Sequence, residues 1–207
     1  MKVGVALIPS HDTIESIIEL QQKIITICPL YPILYKTFNL PHLTLLQGRF
    51  DNSINWLTLI LNLQDYWQRQ QYSQKYKLIK LEYKSPGWYF LIPQQQLIFL
   101  ELHNFVFSAL KNNLFVTEED LNKDISLYDD LEKNNYIKYG YRYIGNAFYP
   151  HITLGQTIDK SRDPNQADWI HLVESFTAKH IIKLERITVY QVGEHGSHAK
   201  ILYSVKI

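Results

Sequence analysis

The chain has 207 residues, 46% of them hydrophobic and 20% charged, an ordinary globular composition with enough length for a full-sized core. Lysine and arginine number 21 against 20 aspartates and glutamates, a net charge of +1, which excludes the bulk basic field of a protein that coats long nucleic acid. The single cysteine, Cys28, excludes a disulfide framework or a multi-thiol metal site within one chain.

The first nine residues carry too short an apolar run for a signal peptide or a membrane span, and they read as a strand over residues 3–8 that stops at Pro9. With no targeting segment and an unpaired thiol, the expected compartment is the cytoplasm. Asp12-Thr13-Ile14-Glu15 resembles a capping box. Ile14, Ile17, Ile18, Gln21, Ile24 and Cys28 follow at helical spacing, with Cys28 as core filler. A second helix is predicted after Asp51-Asn52-Ser53, with Trp56, Ile60, Leu63 and Trp67 on one stripe. Ser85-Pro86-Gly87 is a turn signal, and the flanking runs 76–83 and 88–92 read as a hairpin. A third helix is expected over 95–112, with Ile98, Leu102, Phe105, Ala109 and Leu110 inward and His103 beside them in a structural role.

Residues 113–146 are the least periodic. They are acidic at Glu118-Glu119-Asp120 and aromatic toward Tyr141 and Tyr143, and they read either as an insertion or flap over a cleft or as a solvated connection. Asp163-Pro164 opens a further helix with Trp169, Leu172, Val173 and Phe176 inward. The chain closes on a hairpin, 183–193 and 200–207, around a turn that holds His195 and His198. Strands alternating with helices and interrupted by hairpins argue an α+β fold rather than a regular parallel sheet.

Two stretches share one spelling, Pro41-His42-Leu43-Thr44-Leu45 and Pro150-His151-Ile152-Thr153-Leu154, about half the chain apart. Successive strand side chains point to opposite faces, so each copy places its histidine and threonine on one face and its apolar residues on the other. A single copy is more often a histidine satisfied by local hydrogen bonds. Two copies brought side by side would converge two imidazoles and two hydroxyls on one small volume, suited to a phosphate or another tetrahedral anion. No His-x-x-x-His or Cys-x-x-Cys spacing favours a metal site.

The paired motifs, together with the ending Ile187-Thr188-Val189-Tyr190-Gln191-Val192-Gly193-Glu194, resemble the 2H (two-histidine) phosphoesterase superfamily, which includes RNA 2',3'-cyclic phosphodiesterases and 2'-5' RNA ligase-like proteins. The resemblance implies one domain over 1–207 made of two intimately packed lobes. Each lobe would be an antiparallel sheet with outer helices, giving one His-x-Thr strand to a central cleft. It implies metal-independent chemistry without a cofactor, and catalysis by His42, Thr44, His151 and Thr153. The implied activity is hydrolysis of 2',3'-cyclic phosphate or of 2'-5' linked or cyclic oligonucleotides, and the alternative is a non-catalytic nucleotide or RNA-end binding module. Tyr149, Tyr143, Tyr141 and Arg49 are the candidate substrate-binding residues. The expected partner is a nucleotide or RNA end, with no membrane, no long duplex, and a monomeric chain.

Overall fold

The structure, a computed structural model, describes residues 1–84, 87–157, 176 and 181–207, and the backbone alone at 79. The helix expected after Asp163-Pro164 lies, but for Phe176, outside the described residues, as does most of the turn at Ser85-Pro86-Gly87.

Nine strands pair antiparallel into one sheet: β1 (Lys2–Pro9), β2 (Leu30–Tyr31), β3 (Leu43–Phe50), β4 (Lys75–Lys84), β5 (Trp88–Pro93), β6 (Leu114–Phe115), β7 (Ile152–Thr157), β8 (Ile181–Val192) and β9 (His198–Lys206). Their order is β2-β7-β5-β4-β8-β1-β3-β6, with β9 pairing β8 over 186–192, beyond the stretch 181–183 that pairs with β4. The sheet curls until β7 meets β3 at one paired position, Leu43 opposite Ile152. The α+β class is as the sequence implies. β1 is central because its apolar run is continuous, and Val5 to Ile8 are wholly buried.

The α-helices bounded within the described residues are α1 (His11–Ile25), α2 (Trp56–Arg69), α3 (Gln96–Leu110), α4 (Glu118–Leu121) and α5 (Asp130–Tyr139). No helix among the described residues is long and apolar enough to cross a membrane. α1 buries Ile14, Ile17, Ile18, Gln21 and Ile24 as its spacing requires, but its N-cap is Ser10 rather than a capping box at Asp12. Pro9 ends the strand and Ser10 stays extended, so the Ser10 carbonyl takes the first helical bond, from the Ile14 amide at 2.9 Å. α2 starts later than its sequence signal, where the Asn55 side chain accepts from the Thr58 amide.

α3 has apolar residues on every side, so its inner face is decided by packing rather than by periodicity. Phe99, Leu102, His103, Val106 and Leu110 are buried, whereas Ile98 and Phe105 are only partly so. His103 is therefore central to the face, not beside it. Its Nε2 accepts from the Gly145 amide at 3.0 Å, which leaves Nδ1 to carry the proton donated to the Leu45 carbonyl at 2.6 Å. Its ring stacks on Phe148 at 4.3 Å. The segment 113–146 is not a bare connection. It holds β6, α4 and α5, and Asp120 of α4 is buried against Lys2 and Arg49.

Burial disfavours the charged ring and lowers the His103 pKa to about 4, against the pull of the Leu45 carbonyl. As pH falls below about 6.5 the unfolded chain takes a proton that the folded chain refuses, so this residue removes roughly 3 kcal/mol of stability by the time its folded value is reached. His103→Ala is expected to cost about 2–4 kcal/mol near pH 7.5 by orphaning a buried carbonyl and amide. Urea denaturation should also show a shallower loss of stability between pH 6.5 and 4 in the variant, by about one proton's worth.

Candidate functional site

The two histidine stretches fold alike. In each, the proline holds the preceding residue extended, and that residue's carbonyl accepts from the histidine Nδ1. His42 Nδ1 lies 2.8 Å from the Leu40 oxygen and His151 Nδ1 lies 2.6 Å from the Tyr149 oxygen. A carbonyl only accepts, so in both neutral rings Nδ1 carries the hydrogen and Nε2 is left with its lone pair. The strands proper begin one residue after each histidine, at Leu43 and Ile152.

The likeness continues past the motif. β3 pairs with β1 and β7 pairs with β5, and each ladder slips by one residue at the leucine after the threonine, Leu45 or Leu154. The first six residues of both strands share one burial sequence, in which the threonine and the glutamine three places on are half-buried between buried neighbours. The extra residue turns Gln47 to the same side as Thr44 and Gln156 to the same side as Thr153. The repeat thus reads Pro-His-x-Thr-Leu-x-Gln, and the second glutamine is the sequence signal that a reading stopped at leucine passes over.

The bridge between Leu43 and Ile152 brings the copies together. Continued one residue each way, that register sets His42 opposite Thr153 and Thr44 opposite His151. All four line a cavity of about 540 Å³, as do both glutamines. The register thus sets each motif's threonine across from the other motif's histidine.

The surroundings of the two imidazoles differ. The His151 ring lies 4.0 Å from Phe90 and 5.5 Å from Tyr143. His42 lies 5.1 Å from the Tyr190 ring and 5.5 Å from His198, and its Nε2 is 3.3 Å from the Tyr190 hydroxyl. Burial pushes the His42 pKa down to about 4 against the pull of the Leu40 carbonyl. It pushes His151 down to about 3, with the charges of Arg142 and Lys84 acting the same way and the Tyr149 carbonyl opposing. Both rings are neutral at neutral pH, with Nε2 able to take a proton.

Among the candidate substrate-binding residues, Tyr141 and Tyr143 line the cavity. Tyr143 is buried, with the Arg142 guanidinium 4.3 Å and the Lys84 ammonium 5.1 Å from its ring centre. Tyr149 lies behind this layer, its ring 5.8 Å from His151, and does not itself line the cavity. Arg49 is placed elsewhere. It is clamped by Asp120 at 2.8 Å and Glu119 at 2.6 Å beneath α4, which spends its charge before it could meet an anion in the cavity. Residues the sequence did not single out for the site are Gln47, Gln156, Trp88 and Tyr190. His198, read as a turn residue, opens β9, is buried, lines the cavity and stacks on Tyr190 at 4.3 Å. Among the described residues, the one trio of side chains spaced to hold a metal is His11, Asp12 and Glu15 at the start of α1, and none of the three lines the cavity.

No protein-family model matches the chain, and no curated protein matches it significantly. Among solved structures it is similar to TT0787 of Thermus thermophilus, with a TM-score of 0.53 and 17% identity over 100% of this chain and 97% of that chain. It also aligns with ATU0111 of Agrobacterium tumefaciens, a conserved protein of unknown function, with a TM-score of 0.44 and 14% identity over 97% of this chain and 84% of that one. At 17% identity, what this chain shares with TT0787 is the fold.

Proposed function

We propose that this protein is a phosphodiesterase of the 2H type, acting on 2',3'-cyclic phosphates or on 2'-5' linked or cyclic oligonucleotides by general acid and base catalysis from two histidines. In this reading the sheet serves as two lobes, β1, β3, β6, β8 and β9 on one side and β2, β7, β5 and β4 on the other, each delivering one motif to the cavity between them. The observation that carries the proposal is the matched pair of imidazoles. Both are pinned through Nδ1 to a carbonyl and both belong to residues lining one cavity, each with a threonine from the facing strand opposite it.

Hydrolysis of a phosphodiester needs a base to take a proton from the attacking water and an acid to give one to the departing sugar oxygen. An anionic phosphate entering between two neutral imidazoles favours protonation of one of them, since opposite charges at contact stabilise the imidazolium. The surroundings favour His42 for that proton. His151 is buried more unfavourably for a charge, and the Arg142 and Lys84 charges also oppose its protonation. It is therefore the base, and protonated His42 is the acid. Thr44 and Thr153 donate to the non-bridging oxygens, where charge concentrates as water adds. Tyr141, half-buried in the cavity wall, offers a face on which a base can stack, with the cation-flanked Tyr143 beside it.

His42→Ala and His151→Ala are each expected to lower kcat/KM on a nucleoside 2',3'-cyclic phosphate by about two to four orders of magnitude, the usual range for general acid and base catalysis. Thr44→Ala and Thr153→Ala should lose less, and the wild-type pH profile should be a bell. Losses under tenfold in both histidine variants would dismiss the acid and base roles. Exhaustive chelation should leave turnover unchanged. Activity that vanishes with chelator and returns with added metal would make the histidines ligands rather than proton carriers. Nucleotide binding without turnover would point to the non-catalytic binding module of the same fold.

A further inference from the structure

The repeat that builds the cavity is broken at one row of the sheet. On the first side, Gln47 of β3 is paired with Gly4 of β1, and Gly4 with Tyr190 of β8. At the equivalent row on the second side, Gln156 of β7 is paired with Trp88 of β5, and Trp88 with Lys84 of β4. Where one row has no side chain in its middle, the other has an indole.

β8 and β3 are two strand spacings apart, about 10 Å. The Tyr190 side chain bridges that gap by lying over Gly4, and a Cβ built on Gly4 would overlap the tyrosine ring and hydroxyl. Its hydroxyl thus arrives among Gln47, Thr44 and His42. Trp88 bars any such crossing on the other side, and His151 Nε2 has no hydroxyl partner among the described residues.

The hydrogens of this cluster can be assigned. The Gln47 Nε2 is 3.1 Å from the Gly196 carbonyl, which only accepts, so the amide nitrogen faces both that oxygen and the Tyr190 hydroxyl, 2.5 Å away. Tyr190 therefore accepts from Gln47 and has one hydrogen to give. It has two takers, His42 Nε2 and Thr44 Oγ1, each at 3.3 Å. While His42 is neutral, Tyr190 donates to Nε2 and Thr44 donates to Tyr190. Once Nε2 gains a proton it cannot accept, so the tyrosine hydrogen turns to Thr44 Oγ1, and the threonine hydrogen is freed toward the cavity.

We infer that Tyr190 is a positioning residue that couples the proton on His42 to the direction in which Thr44 donates, so that an anion bringing a proton to His42 receives the Thr44 hydrogen bond in the same event. Thr153 has no such control and donates whatever the state of His151. The catalytic meaning of this coupling rests on the phosphodiesterase reading. The titratable groups facing His42 are Tyr190 from β8, His198 from β9 and His151 across the cavity. His198 stays neutral above about pH 3, and Tyr190 keeps its hydrogen to about pH 12.

The test uses inorganic sulfate, whose charge does not change between pH 5.5 and 8.5, with affinity measured for the wild type, Thr44→Val, Tyr190→Phe and the double variant. In the wild-type background, Thr44→Val should weaken sulfate binding at least fivefold at pH 5.5 and less than twofold at pH 8.5. In the Tyr190→Phe background its penalty should be the same at both pH values, within twofold. Gly4→Ala removes no polar atom and should abolish the pH dependence as Tyr190→Phe does. A Thr44→Val penalty that ignores pH in the wild type overturns the inference. So do a pH dependence that survives in Tyr190→Phe or in a folded Gly4→Ala, and a wild type that binds no sulfate. Because sulfate binding needs no turnover, a coupled network without cyclic phosphate hydrolysis would sink the phosphodiesterase reading alone, and hydrolysis with an uncoupled network would sink this inference alone.

Discussion

The cavity depends on a hydrogen bond made twice, from a histidine Nδ1 to the carbonyl two residues earlier. That bond fixes the tautomer, orients the ring and leaves the lone pair on Nε2, before any contact across the sheet is made. The prolines at 41 and 150 make it reproducible, because each restricts the residue whose carbonyl does the accepting. A histidine in the same strand with a free Nδ1 would exchange tautomers, and neither nitrogen would be reserved for chemistry.

Paired strands then turn two local arrangements into one site. β1 and β5 play the same part for β3 and β7, down to a ladder slip at the corresponding leucine. The slip is what brings a glutamine round to the threonine's side. Exact repetition would yield two imidazoles of equal character, and the hydrolysis proposed above asks for unlike ones. The difference is supplied by the neighbours: a tyrosine, a glutamine and a second histidine around His42, an aromatic wall and two nearby cations around His151.

The paired motif was legible because its signal is local: a proline, a strand period and two polar residues on one face. So were β1, the α1 face, the β4–β5 hairpin and the closing hairpin, where periodicity and turn residues agree. Tyr190 was not, because its place depends on the register of β8 against β1 and on an empty spot at Gly4, neither of which has a local signature. The Arg49 assignment failed for a related reason. Its ion-pair partners lie some seventy residues on, in the polar segment around α4 that carries no periodicity to place it. The inner face of α3 was misjudged because a helix apolar on all sides offers no stripe to read.

The meeting of β3 and β7 at a single rung has a mechanical consequence. A broad ladder would lock the halves of the sheet into one rigid plate. One rung, together with the β4–β8 ladder at the other join, instead closes the sheet on itself and fixes how far apart the two histidine strands stand. Residues 42, 44, 151 and 153, next to that rung, are therefore held at the spacing of paired strands, whatever the cavity beside them admits.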